Sequence, residues 1–196
     1  DACATEGLTA REILIANPAH LSTIRLFSLP STDPKEIRDI VELQAEKHTP
    51  YAKEEILFDF SVISRERSGY SRVLLVIAHQ DVIHRAVGLV EAAGLTLERM
   101  GSELEGLLNW WLTVKRRAGG SAAASLVMEI DGSTTTLIVM HQGQLLFHRT
   151  LATGAEHLQD EPSGAGERLV AELQRSLEAL DTEGIATPKP QEVVVT

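Results

Sequence analysis

The apolar positions change period several times along the chain, and each change marks an element. Residues 12–16 (Glu-Ile-Leu-Ile-Ala) form an apolar run of strand length, closed by the turn signal Asn17-Pro18. Residues 23–29 alternate in part and predict a second strand, ended by Pro30. The period then lengthens. Ile37, Ile40, Val41 and Gln44 recur at helical spacing, behind Thr32 or Asp33 as cap, Pro34 in the first turn and Glu36 at the positive end of the dipole. This helix is expected to run to about His48 and stop before Pro50, because the residue ahead of a proline avoids the helical region. Over 56–63, Leu57 and Asp59 share one face while Ile56, Phe58, Phe60 and Val62 share the other. Residues 71–78 carry apolar side chains on both faces from Val73 on, as a central strand does. Asp81 is placed to cap a helix reaching Ala93, with Val82, Ala86, Val87, Leu89 and Val90 inward and Gly94 as its left-handed stop. A short strand over 95–100 completes a β-α-β-β-α-β order across 23–100. That order is the ferredoxin-like one, in which two helices cover one face of a four-stranded antiparallel sheet.

The second half reads differently. Ser102 and Glu105 have the spacing of a capping box ahead of Leu107, Leu108, Trp111 and Val114. Trp110 and Trp111 are adjacent, so they point in different directions, one to a core and one to a contact surface. Gly119-Gly120-Ser121 marks a break. Strands over 124–130, 134–140 and 144–150, joined at Asp131-Gly132-Ser133 and Gln142-Gly143, form a meander. A loop over 162–166 precedes a helix to Leu180 with Leu169, Leu173, Leu177 and Leu180 on one stripe. A polar loop with Pro188 and Pro190 leads to a last strand near Glu192.

Composition narrows the function. Of 196 residues, 43% are hydrophobic and 23% charged, an ordinary globular balance. The single cysteine, Cys3, excludes an internal disulfide framework and a thiol-built zinc site. The net charge of -10 argues against a nucleic-acid binder, whose affinity comes from neutralising phosphates. The one short basic cluster, Lys115-Arg116-Arg117, falls at a helix C-terminus, where cations meet the negative end of the dipole. No apolar run has the length of a bilayer span, and the N-terminus lacks the pattern of a signal peptide. A start at Asp1 and a stop inside a strand suggest a piece of a longer chain.

The chemistry concentrates at Asp131-Gly132-Ser133-Thr134-Thr135, between two strands. A Gly-containing turn can aim backbone N–H groups at a phosphate, and Ser and Thr hydroxyls can donate to it. Asp131 could hold a Mg²⁺ ion through the ion's own waters. The same five residues also read as a polar hairpin turn, since Asp-Gly is a strong hairpin signal and Thr favours strands. No H-E-x-x-H helix and no G-x-S-x-G elbow occurs, and Glu54, Glu55 and Asp59 read as solvated charge.

Taken in order, Leu26-Phe27-Ser28-Leu29-Pro30, Glu46-Lys47-His48-Thr49-Pro50-Tyr51, Val76-Ile77-Ala78-His79, Glu91-Ala92-Ala93-Gly94-Leu95 and the Asp131 turn with Phe147-His148-Arg149 and Gly154 carry a resemblance. Over roughly 12–155 the chain resembles the actin-like proteins of type IV pilus and type II secretion machines, the PilM family and the cytoplasmic domain of GspL, with FtsA more distant. The fold class implied is α/β (α+β), an actin-like (ribonuclease H-like) fragment with an inserted ferredoxin-like subdomain. On this resemblance 1–30 belong to the first actin-like subdomain, 31–100 to the insert, 101–120 to a return helix and 121–196 to the second half. Asp131, Gly132, Ser133, Thr134 and Thr135 match the second phosphate loop of such proteins, with Asp131 on the magnesium side. The first phosphate loop and the adenosine loop have no counterpart in the sequence, so ATP and Mg²⁺ are expected of a longer chain. The resemblance implies a cytoplasmic scaffold at the inner-membrane face. It would capture a short segment of a bitopic PilN-like partner in a groove between the insert and the first subdomain, with Leu26, Leu29, Pro50, Tyr51 and Trp110 as contact candidates. A GspL-type protein would instead bind the assembly ATPase. The alternative is an actin-like ATPase that hydrolyses Mg-ATP when intact. Homo-oligomers are left open.

Overall fold

The computed structural model describes residue 5 and residues 12–117, 123–182 and 188–196. Cys3, the Gly119-Gly120-Ser121 break, the side chains of Arg116 and Arg117 and part of the 181–191 loop lie outside the described residues.

Strand β1 (Glu12–Asn17) leads through a single 3-10 turn (Ala19–Leu21) into β2 (Ser22–Leu29). Helix α1 (Pro34–Lys47) follows, then a 3-10 turn (Lys53–Glu55), β3 (Ile56–Arg65), β4 (Ser71–His79), α2 (Gln80–Ala92) and β5 (Thr96–Ser102). The second half runs α3 (Glu103–Arg117), β6 (Ser125–Ile130), β7 (Thr135–His141), β8 (Gln144–Leu151), α4 (Ala155–Asp160), α5 (Pro162–Thr182) and β9 (Glu192–Val195).

Local chemistry explains most boundaries. Asp33 caps α1 by accepting from the N–H groups of Lys35 and Glu36 at 2.9 and 3.0 Å, and Pro34 occupies the first helical position. Ser102 and Glu105 form a reciprocal capping box at α3, each accepting the other's N–H at 3.2 Å. Gly94, at φ 71°, ends α2 with the Leu95 N–H returning to the Val90 carbonyl at 3.1 Å. Gln142 and Gly143, at φ 49° and 78°, both take the left-handed values that a two-residue hairpin turn requires.

Three sheets result. β2-β4-β3 is antiparallel, β1-β5 is a parallel pair, and β8-β7-β6-β9 has β9 parallel to β6. The four-stranded sheet expected over 23–100 is therefore three-stranded. Its fourth strand, β5, pairs with β1 from Glu12–Thr96 to Asn17–Ser102. Side-chain period reports that a segment is a strand, not which neighbour it takes, and a parallel neighbour upstream of the block offers no local signal. The block from β2 to α2 is thus an excursion between two adjacent parallel strands.

Three cores hold these layers. α1 lays Ile37, Val41 and Ala45 on Leu29, Val73, Leu75 and Ile77 of the small sheet. On the opposite face Ile24 and Leu74 pack with Leu104, Leu107 and Trp111 of α3 and with Val127, Ile138 and Met140 of the large sheet. The outer face of the large sheet, including Leu126, Leu137 and Phe147, is covered by Leu169 and Leu180 of α5, with Leu173 and Leu177 packed against them. α5 begins at Pro162, inside the expected loop, because Ala165 is fully buried there and tertiary packing outweighs the weak helix preference of Ser163, Gly164 and Gly166. Leu89, expected inward, is 74% exposed, and only Val90 of α2 is buried.

Candidate functional site

The small sheet has one face covered by α1, and the other is covered along β2, at Leu74 of β4 and at Ile63 near the end of β3. By register, Ser22, Ile24 and Leu26 of β2, Leu74, Val76 and Ala78 of β4, and Leu57, Asp59 and Ser61 of β3 share that second face. α3 and the large sheet bury the β2 side. Leu57, Asp59 and Ser61 of β3 stay exposed on this face, and β3 is an edge strand among the described residues. A groove of about 260 Å³ forms there, walled across from β3 by Ile83 of α2, by Arg99 to Ser102 of β5, and by Glu105 of α3. Its floor is apolar (Leu57, Leu74, Val76, Ala78), Met100 faces it from the wall, and its charged groups are Asp59, Arg99 and Glu105. Arg99 Nη2 stands 3.4 Å from Glu105 Oε1. Leu57 is 45% exposed, a large apolar side chain on the uncovered part of the sheet.

A second concavity, of about 380 Å³, opens where β1, β6 and β9 end, lined by Ala16, Pro18, Glu103, Glu129, Ile130, Asp131 and Thr196. Glu103 accepts the Ala19 N–H at 2.7 Å and so ties α3 to the turn after β1. Glu129 is pushed above the usual carboxylate range by burial first and by the charges of Glu103 and Asp131 next.

The turn after β6 is closed by Asp131 N–H donating to the Thr134 carbonyl at 2.9 Å. It docks on the start of α4: Ala155 N–H donates to the Asp131 carbonyl at 2.8 Å and Glu156 N–H to the Gly132 carbonyl at 2.9 Å. A Cβ on Gly132 would meet Glu156 Oε1 at 3.2 Å, so a carboxylate lies beside the turn. Asp131 and Ser133 are exposed, and Gly132 and Thr134 are half-buried. Thr135 is a correction to the expected phosphate set: it is fully buried, and its hydroxyl donates to the Thr153 carbonyl at 2.6 Å. The described residues do not by themselves fit Mg-ATP. The lining of this cleft holds three carboxylates and no Lys or Arg, and no three His, Cys, Asp or Glu side chains among the described residues converge to hold a metal ion.

The sequence profile of the family described as Type IV pilus assembly protein PilM matches residues 2–163. The chain belongs to that family. A chain of a solved PilM–PilN type IV pilus biogenesis complex is similar in structure, with a TM-score of 0.82 at 17% identity, over 98% of this chain and 65% of that one. The present chain thus spans less than two thirds of that relative's length. Lower in likeness are two further solved structures. One is the cytoplasmic domain of EpsL, an inner membrane component of the type II secretion system of Vibrio cholerae, with a TM-score of 0.49 at 13% identity over 76% of this chain and 53% of that one. The other is a Bacteroides thetaiotaomicron protein with an actin-like ATPase fold and unknown function, with a TM-score of 0.47 at 10% identity over 94% of this chain and 67% of that one. The PilM-family fold here is mixed α/β, and no helix among the described residues is long and apolar enough to cross a membrane.

Within this PilM-family chain the five expected partner contacts do not form one surface. Leu29 lies in the α1 core, 3% exposed, and cannot meet a partner without unfolding. Leu26, three residues earlier on the strand, points to the opposite face and packs half-buried against the α3 core. Pro50 and Tyr51 are exposed after α1, with the Tyr51 ring edge-on to His79 at 4.7 Å. Trp110 is 40% exposed on α3, while Trp111 is buried, as adjacent helical positions require. The groove residues Leu57, Val76, Ile83 and Met100 escaped the sequence reading. The legible signal was Leu57 sharing a face with Asp59, an apolar side chain on the polar side of an amphipathic strand.

Proposed function

We propose that this chain is a scaffold of type IV pilus assembly that holds an extended segment of a PilN-like inner-membrane partner in the groove between the small sheet and β5. The carrying observation is the apolar floor of Leu57, Leu74 and Val76, faced by Met100, beside β3, an edge strand among the described residues. An edge strand supplies main-chain hydrogen bonds to an added strand, and a groove with apolar sub-sites selects alternate side chains. Asp59, Arg99 and Glu105 at the walls fix the direction of the segment through its polar groups. The experiment is a methyl-resonance titration with a synthetic peptide of the partner's cytoplasmic N-terminus. Shifts confined to Leu57, Val76, Ile83 and Met100 support the groove, and shifts centred on Trp110 or Tyr51 refute it. By this reading the chain works at the cytoplasmic face of the inner membrane.

A second reading, an actin-like ATPase, rests on Asp131 standing with Glu129 and Glu103 at the cleft where β1, β6 and β9 end. It needs phosphate donors from outside the described residues. Calorimetric titration of ATP with Mg²⁺, against Asp131→Ala, tests it: heat lost in the variant supports the reading, and no heat at millimolar ATP sinks it for this chain.

A further inference from the structure

The junction between β4 and α2 is a wall shared by two cavities. Ala78 and Ile83 line the partner groove. Their sequence neighbours His79 and Val82 line a separate pocket of about 220 Å³ with His20, Thr49 and Tyr51. The helix cap at this junction is not the expected Asp81 but His79, whose Nδ1 accepts the Asp81 N–H at 3.1 Å. Asp81 Oδ2 lies 3.8 Å from the same nitrogen, and the Tyr51 ring holds the imidazole edge-on.

A ring nitrogen accepts a hydrogen bond only while it carries no proton. Serine, threonine, aspartate and asparagine caps work across the neutral range, whereas a histidine cap works only in the neutral tautomer protonated at Nε2. We propose that His79 is a proton-operated latch on the first turn of α2. Neutral, it holds the Asp81 amide and fixes Ile83 at the groove wall. On taking a proton from solvent, Nδ1–H releases the amide and donates to the Asp81 carboxylate already beside it. The first turn then loosens, and the wall shared with the groove moves.

The titratable and charged groups at this ring are few. His20 and Tyr51 line its pocket, Asp81 lies on α2, and Arg85 Nε donates to the Asp81 carbonyl at 3.1 Å. β3 presents only Ile56 opposite it in register. The consequence for partner capture rests on the groove reading above, but the latch itself is measured without a partner.

The test follows the Asp81 amide and the Ile83 methyl of the chain by nuclear magnetic resonance between about pH 5 and 8, the window in which histidines change charge. Both resonances are expected to move with a single midpoint, the one the His79 ring reports. His79→Asn keeps an acceptor that does not titrate and is expected to lose that movement. His79→Phe keeps the ring contact without an acceptor, and its Asp81 amide is expected at the low-pH position throughout. An Asp81 amide or Ile83 methyl that does not follow the His79 ring, or a titration that survives in His79→Asn, overturns the latch. Neither result bears on whether a peptide enters the groove.

Discussion

Gly154 lies so close to the turn after β6 that a Cβ on it would stand 2.4 Å from the carbonyl oxygen of Asp131. It would also meet Thr134 N at 2.5 Å and Gly132 O at 2.6 Å, all backbone atoms that cannot swing away. The φ of Gly154 is -132°, extended backbone open to any residue, so the requirement is space alone. Gly154→Ala is expected to destabilise the chain by about 1–3 kcal/mol, the usual cost of overpacking, in urea unfolding. Gly132→Ala, which would meet only the movable end of Glu156, is expected to cost less. Equal stability of wild type and Gly154→Ala would contradict the docked turn.

The helix starts make a paired prediction. Asp33 accepts two N–H groups at α1, so Asp33→Ala is expected to cost about 1 kcal/mol. The Asp81 side chain is not the cap of α2. Asp81→Ala leaves the amide that His79 holds and removes only a first-turn charge, about 0.3 kcal/mol. Equal losses in denaturant unfolding would restore Asp81 as the cap.

What could be read from the chain was what is local. The α1 cap at Asp33, the α3 capping box, the stop at Gly94 and the turn at Gln142-Gly143 depend on residues within a few positions of each other. What could not be read is settled between distant segments. β5 pairs with β1, more than seventy residues upstream in a parallel register that no hairpin announces. Leu89 belongs to the apolar stripe of α2 yet faces solvent, because period reports a stripe and not how much of it a neighbour covers. The groove was half legible. Leu57 and Asp59 share a face in any reading of β3, but the opposite wall comes from β5, α2 and α3. Thr135 has the right residue type for a phosphate donor, and only the fold spends its hydroxyl on Thr153.

His148 on β8 is half-buried, and desolvation first, then the nearby Arg25 charge, lowers its pKa from 6.5 to about 4. The unfolded chain takes up this proton at a higher pH than the folded one. Stability is therefore full above about pH 6.5, falls as pH drops toward 4 and levels below it, a loss on the order of 3 kcal/mol. His148→Gln is expected to flatten that part of the stability profile measured by urea unfolding. An unchanged slope in the variant would mean that His148 is not the group responsible.

Glu129 gives the opposite slope. Its raised pKa means the folded chain keeps a proton that the unfolded chain releases, so stability declines as pH rises above the ordinary carboxylate range. Glu129→Gln keeps the shape and removes one of three crowded carboxylates. It is expected to raise the thermal midpoint at pH 7 and to leave it unchanged near pH 4. A lower midpoint at pH 7 would mean that the charge of Glu129 has an unrecognised partner.

By the reading proposed above, the groove beside β3, and not the Trp110 surface, receives the partner's segment. The most direct measurement is the Kd of the partner's cytoplasmic peptide for wild type, Leu57→Lys and Trp110→Ala. Leu57 and Trp110 are both partly exposed, so neither change empties a core. Leu57→Lys is expected to lose about tenfold or more in affinity, as when a contact worth about 1.4 kcal/mol is removed, with Trp110→Ala unchanged. Wild-type affinity in Leu57→Lys together with loss in Trp110→Ala would contradict that reading.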